Sequence, residues 1–157
     1  VAASLCAALA QRLVRRICKH CKVEDEFIPR RVRAEIADVL GMASEDVRAW
    51  HGEGCLECNH SGYRSRVAIY EFFLLDEEIQ DMVSNHVNSS ELRKAAIERG
   101  MQTLRMDGWL KVADAATTID EITRITSTFQ IGYDVDEDSV LGVAVAEPKE
   151  ETKEKQA

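Results

Sequence analysis

Apolar residues recur along most of this chain at spacings of three and four, the period of an amphipathic helix. Near the start, Cys6, Leu9, Ala10, Leu13 and Ile17 share one helical face, which predicts a helix from about Ser4 to Ile17 with Cys6 as a small core residue. Arg12, Arg15 and Arg16 lie off that face near its C-terminal end, where positive charge suits the helix dipole. A second helix is predicted from about Pro29, a good first-turn residue, with Val32, Ile36, Val39 and Leu40 as its stripe and Gly41 as its cap. A short helical turn is expected between Ser44 and Trp50. The period then changes. Residues 66–75, RVAIYEFFLL, are dense in β-branched and aromatic types and predict a buried strand.

Helical spacing returns after Asp76, which caps a helix carrying Ile79, Met82 and Val83. Asn88 or Ser90 caps the next, with Leu92, Ala95 and Ala96 inward and Gly100 ending it. A further helix spans Leu104 to Ala113. Thr118 and Glu121 have capping-box spacing and open a last helix with Ile119, Ile122 and Ile125. The pattern is an α+β fold, mostly helical, of about six helices to one clear strand. A lone strand cannot satisfy its own buried backbone groups. Its partner is expected in the cysteine-rich region, in the tail, or in sequence beyond this chain.

Composition narrows the class. The 157 residues suggest one domain, and 20 Lys+Arg against 28 Asp+Glu leave a net charge of −8. That charge argues against sequence-independent nucleic-acid binding, which works by neutralising phosphates. No apolar run approaches the ~18 residues of a membrane span. The positive charges follow the apolar start instead of preceding it, unlike a signal peptide. With Val at position 1, the chain is read as a fragment of a longer protein. Residues 134–157 carry eight acids and three lysines, and the acidic tail from about residue 129 is expected to be disordered, with Val140–Ala146 at most a weak strand.

The strongest chemical signal is a pair of C-x-x-C turns, Cys18-Lys-His-Cys21 and Cys55-Leu-Glu-Cys58, with 33 residues between them. Two such turns facing each other supply four thiolates in a tetrahedron, the arrangement of a structural Zn²⁺ site. The spacer exceeds the usual ~15–20 residues, and the helix after Pro29 fits inside it as an insertion. Redox or incidental cysteines are the competing reading. A disulfide framework is disfavoured by the odd count of five cysteines. His20, His51 and His60 read as solvated loop residues, and His86 as a surface residue at a helix end. Four thiolates close the zinc shell and leave no open position for hydrolysis, so no catalytic residue is assigned. There is no G-x-x-x-x-G-K-[ST] loop for nucleotide phosphates. Arg64 and Arg66 bracket Ser65 and read equally as a phosphate or acidic-partner contact and as a plain surface pair.

Four segments resemble a known family in order. Leu9-Ala-Gln-Arg-Leu-Val-Arg-Arg-Ile-Cys18 resembles LAQRLVRxxC. Residues 54–71, GCLECNHSGYRSRVAIYE, resemble GCxxCxxxGYxGRxxIxE. Gly100–Val112 resembles GMxTLRxDGxxKV, and Thr117–Thr126 resembles TTxxEVxRVT. Together they resemble the type II secretion and type IV pilus assembly ATPases across residues 1 to about 127. Ser65 stands where that family usually has Gly, and Ala115 and Ala116 stand where a Gly often precedes the Thr-Thr pair.

The resemblance implies the C-terminal portion of a RecA-like hexameric motor, with structural Zn²⁺ on Cys18, Cys21, Cys55 and Cys58. It implies residues 1–17 as a helix continuing from an upstream core, 18–65 as the zinc subdomain and 66–128 as a strand plus helices, while the acidic tail, 129–157, lies outside the resemblance. ATP and Mg²⁺ would belong to the full-length protein, so this chain alone should be inactive. The implied partners are sister subunits of a homo-hexamer and inner-membrane secretion or pilus platform proteins. The implied location is the cytoplasmic face of that membrane, with no transmembrane segment. Because the pilus-retraction branch generally lacks the cysteine pairs, the secretion or pilus-extension branch is favoured. A free-standing zinc module for protein or nucleic-acid binding is the alternative.

Overall fold

Two long antiparallel strands, β1 (Ala7–Ile17) and β4 (Tyr63–Leu74), form a ribbon in a computed structural model that describes residues 5–126. Their register runs from Ala7 opposite Leu74 to Val14 opposite Val67 and Arg15 opposite Arg66, and shifts at a bulge before Ile17 meets Tyr63. A smaller ribbon pairs β2 (Lys22–Glu24) with β3 (Trp50–Gly52). Helix α1 (Arg30–Leu40) and a single 3₁₀ turn, Ser44–Asp46, lie between β2 and β3. Helices α2 (Glu77–Ser84), α3 (Ser89–Glu98), α4 (Leu104–Ala113) and α5 (Ile119–Thr126) follow β4.

The predicted helix over Ser4 to Ile17 is therefore a strand. The helical spacing of the segment is overridden at a distance: the backbone of β4 needs a ladder partner, and β1 supplies it. The expected helical stripe does not form, since Leu9 and Leu13 are exposed while Val14 and Ile17 are buried. Cys6 is exposed and is not a core residue. The turn expected from Ser44 to Trp50 shortens to the 3₁₀ turn and gives way to β3. β4 is only half buried: Ile69 faces inward, whereas Tyr70, Phe72 and Leu74 are exposed. The described residues hold five α-helices and four strands.

The core gathers Val14 of β1, Ile36 of α1, Ile69 of β4, Trp109 and Val112 of α4, and Ile122 of α5. Each such side chain contributes about 1.5–3 kcal/mol on burial. Leu75, Ile79 and Ala96 form a separate cluster joining α2 to α3. The helix starts read from sequence stand: Asp76 accepts from Ile79 N (3.0 Å), Asn88 from Glu91 N (2.9 Å) and Thr103 from Met106 N (3.2 Å). Gly41 ends α1 at φ 63°, the left-handed conformation that suits glycine. The proposed short strand at Val140–Ala146 and the acidic tail lie outside the described residues.

Candidate metal centre

Cys18 follows directly on Ile17, the last residue of β1, and its N–H donates to the Gly62 carbonyl (2.9 Å) just before β4 begins. The first cysteine turn thus extends one end of the long ribbon. The chain turns at once, with Cys21 N donating to Cys18 O (3.3 Å), and enters β2. β3 returns to Gly52, and the second turn is a 3₁₀ turn, Leu56–Cys58, closed by Cys55 N donating to Cys58 Sγ (3.2 Å). Asn59 and His60 follow with φ of 51° and 59°, left-handed values that fold the chain back toward β4.

These two turns bring the Sγ atoms of Cys18, Cys21, Cys55 and Cys58 within 4.8 Å of one another. Cys18–Cys55 is 3.8 Å, Cys21–Cys58 3.9 Å and Cys55–Cys58 3.7 Å. A tetrahedral centre with Zn–S bonds of about 2.3 Å requires sulfurs about 3.8 Å apart. The donor set can therefore hold a metal ion, and the spacing suits zinc. The three distances are also far beyond a covalent S–S bond of about 2.0 Å.

Cys21, Cys55 and Cys58 of the cage titrate unequally because each meets a different balance of burial and backbone N–H groups. Desolvation pushes Cys21 up to about 12; the Gly54 N–H opposes this, and the neighbouring thiols reinforce it. Desolvation also raises Cys55, helped by the sulfurs of Cys58 and Cys18. Cys58 goes the other way: against desolvation, the N–H groups of Cys55 and Gly62 hold it at about 6. A central divalent ion reverses the upward shifts, because a coordinating thiol is deprotonated outright.

The other sequence candidates separate from this centre. His20 and His60 are exposed, as expected, and so is His86. His51 is instead half-buried in β3, its Nδ1 4.0 Å from Asp25. Arg64 pairs with Glu57 of the second cysteine turn at 2.7 Å, so one acidic neighbour lies within the chain itself. Arg66 stands opposite Arg15 across the ribbon.

Sequence reasoning missed an anchor beside the four sulfurs. Glu121, read as half of a capping box, does donate its backbone N–H to Thr118 Oγ1 (3.2 Å), but its carboxylate accepts from Arg15. Tyr63 lies under the Arg15 guanidinium at 4.0 Å and shares a 3.0 Å hydrogen bond with Thr118. Ile17 N donates to Ala116 O (3.0 Å), and Thr117 Oγ1 donates to Arg15 O (2.8 Å). The start of α5 is thereby stitched to the residues flanking Cys18 and Gly62. An acid inside an apolar helical stripe was the available signal.

Comparison with known proteins places the chain in a class whose members work in secretion and pilus assembly. The family model described as type II/IV secretion system protein matches residues 1–124. The chain belongs to that family. It is 37% identical over 125 residues to the type IV pilus assembly ATPase PilB of Thermus thermophilus, covering 78% of this chain and 14% of the relative. It is 36% identical over 126 residues to the type II secretion system protein HxcR of Pseudomonas aeruginosa, covering 80% and 22%. The type II secretion system protein E of Aeromonas hydrophila is 37% identical over 131 residues, covering 80% and 24%. The matched part is thus about a quarter or less of these curated relatives. No helix among the described residues is long and apolar enough to cross a membrane.

Proposed function

We propose that this chain is the C-terminal, zinc-binding portion of a hexameric ATPase that powers type II protein secretion or type IV pilus assembly. The observation that carries the reading is the convergence of four Sγ atoms within 4.8 Å in a chain of this family. Cys18, Cys21, Cys55 and Cys58 would hold the ion; residues 18–65 would be the zinc subdomain, and β4 with the helices through Thr126 would join it to a RecA-like motor. Zinc supplies a structural cross-link, on the order of 10–16 kcal/mol in small sites. The chain's own residues do the rest. β2 and β3 set the two turns face to face, and Arg15, Tyr63 and Glu121 tie their base to α5.

In this reading ATP and Mg²⁺ bind elsewhere in the full-length protein, since the chain has no P-loop sequence. The knob contacts sister subunits or a membrane platform protein at the cytoplasmic face of the inner membrane. The test pairs metal analysis with phosphate release. The purified 157-residue chain should contain about one zinc per chain and hydrolyse no ATP, while the chain extended upstream should bind zinc and hydrolyse ATP. A metal-free reduced protein overturns the zinc assignment. Turnover by the short chain that is lost on mutating one of its own residues overturns the motor-fragment assignment.

A further inference from the structure

Three glycines surround the cysteine turns, and each meets backbone where another residue would carry a Cβ. Gly52, the last residue of β3, and Gly62, which precedes β4, cross so closely that a Cβ on either would run into the other's carbonyl oxygen. A Cβ on Gly54 would lie 2.7 Å from the His60 carbonyl oxygen. The same residues carry the polar links of the cage. Gly62 O accepts from Cys18 N (2.9 Å), and Gly54 N donates to Cys21 Sγ (3.3 Å). Glu53, between Gly52 and Gly54, donates its N–H to Cys21 O (3.0 Å).

We propose that Gly52, Gly54 and Gly62 are positioning residues of the metal cage: their backbone crossing sets the distance between the two cysteine turns, so that four sulfurs arrive at zinc spacing. The inference rests on the reading that the four cysteines bind zinc. Physically, sulfurs about 3.8 Å apart leave little tolerance around a 2.3 Å bond. Pushing the second turn away by the width of a methyl group therefore opens the cage. It also stretches the Gly54 N–H bond that helps stabilise a coordinated thiolate at Cys21.

Gly41 and Gly100 supply the control. Both have left-handed φ, 63° and 95°, but nothing lies within 4 Å of an added Cβ. Alanine there strains the backbone without crowding the cage. Gly52 is the converse, crowded without a left-handed φ. The experiment measures Zn²⁺ affinity by chelator competition and the visible spectrum of the Co²⁺-loaded protein. It compares the 157-residue chain with Gly52→Ala, Gly54→Ala and Gly100→Ala, and amide protection of α4 reports whether the body is folded. Gly52→Ala and Gly54→Ala should weaken zinc binding about 10- to 100-fold and alter the cobalt spectrum. Gly100→Ala should lower the melting temperature and leave both metal readouts unchanged. If Gly52→Ala loses α4 protection, Gly54→Ala, with its milder contact, decides. Folded variants with parental zinc affinity and cobalt spectrum overturn the inference alone, as does an equal loss in Gly100→Ala. A parent chain that binds neither metal overturns the zinc reading and the inference with it.

Discussion

Arg15 and Glu121, 106 residues apart in sequence, are joined by three hydrogen bonds: Arg15 N to Oε1 (3.0 Å), and Nε and an Nη to Oε2 (2.9 and 2.8 Å). The Glu121 side chain is 1% exposed, and Arg124 supplies a further contact at 2.8 Å. A buried carboxylate satisfied this fully is a fixed point between the long ribbon and the last helix.

The pH response of that pair follows from its environment. Burial alone would raise the Glu121 pKa, but hydrogen bonds from the Arg15 side chain and backbone, then Arg124, hold it at about 2 against an ordinary 4.5. The folded value lies below the unfolded one, so its stabilisation is full above about pH 5 and is lost as pH falls toward 2. The gap is worth roughly 3 kcal/mol. Glu121→Gln should cost about 2–4 kcal/mol at neutral pH in urea unfolding, and the difference from wild type should shrink toward zero near pH 2. A difference independent of pH would contradict the pairing.

Chelation or Cys55→Ser should loosen the chain unevenly. β2, β3 and the cysteine turns have little apolar packing of their own, and their amides should exchange faster by hydrogen exchange. α2 and α3 own a separate cluster around Ile79 and should keep their protection. α1 should hold as well, because Ile36 shares the core with Trp109 and Val112. Uniform loosening from α1 through α3 would show that the knob is not a distinct unit.

Two departures from the family pattern are strained. Ser65 and Ala115 have φ of 69° and 54°, left-handed values at which the family pattern favours glycine at or beside them. Ser65→Gly and Ala115→Gly should each stabilise the chain by about 0.5–1 kcal/mol, the relieved strain exceeding glycine's entropy cost. The check is a higher urea midpoint with an unchanged slope. A lower midpoint would mean that the neighbours relieve the strain already.

Gly108→Ala sets two effects against each other. In a helix interior, alanine gains about 1 kcal/mol over glycine. Here, however, its Cβ would lie 2.8 Å from Cδ1 and Cγ2 of Ile122, where α4 meets α5. Overpacking of this kind costs about 1–3 kcal/mol, so net destabilisation is expected. Adding Ile122→Val, which removes Cδ1, should recover part of the loss in a double-mutant cycle. Additive effects would rule out the contact.

Legibility followed the range of the interactions. Asp76, Asn88 and Thr103 cap helices through hydrogen bonds to residues three positions on, so their signal is local and each helix start was readable. The cysteine turns were legible for the same reason: C-x-x-C spacing is a local geometry, and two of them state the ligand chemistry before any fold is known.

The identity of β1 was not local. Residues 7–17 carry apolar positions at helical spacing and no clean strand alternation, and only pairing with β4, some fifty residues onward, makes them a strand. Strand pairing is a contact between distant segments, which no window of neighbouring residues contains. The same limit hid the fate of Glu121. Its spacing from Thr118 predicted a helix cap, which forms, but nothing local showed that the fold would also place Arg15 within reach of its carboxylate. The amino-acid sequence alone determined the starts of the helices after β4, the paired cysteine turns and the family. Tertiary structure decided which strand pairs with which, and that pairing brings Cys18 and Gly62 to one end of a ribbon where four sulfurs can meet.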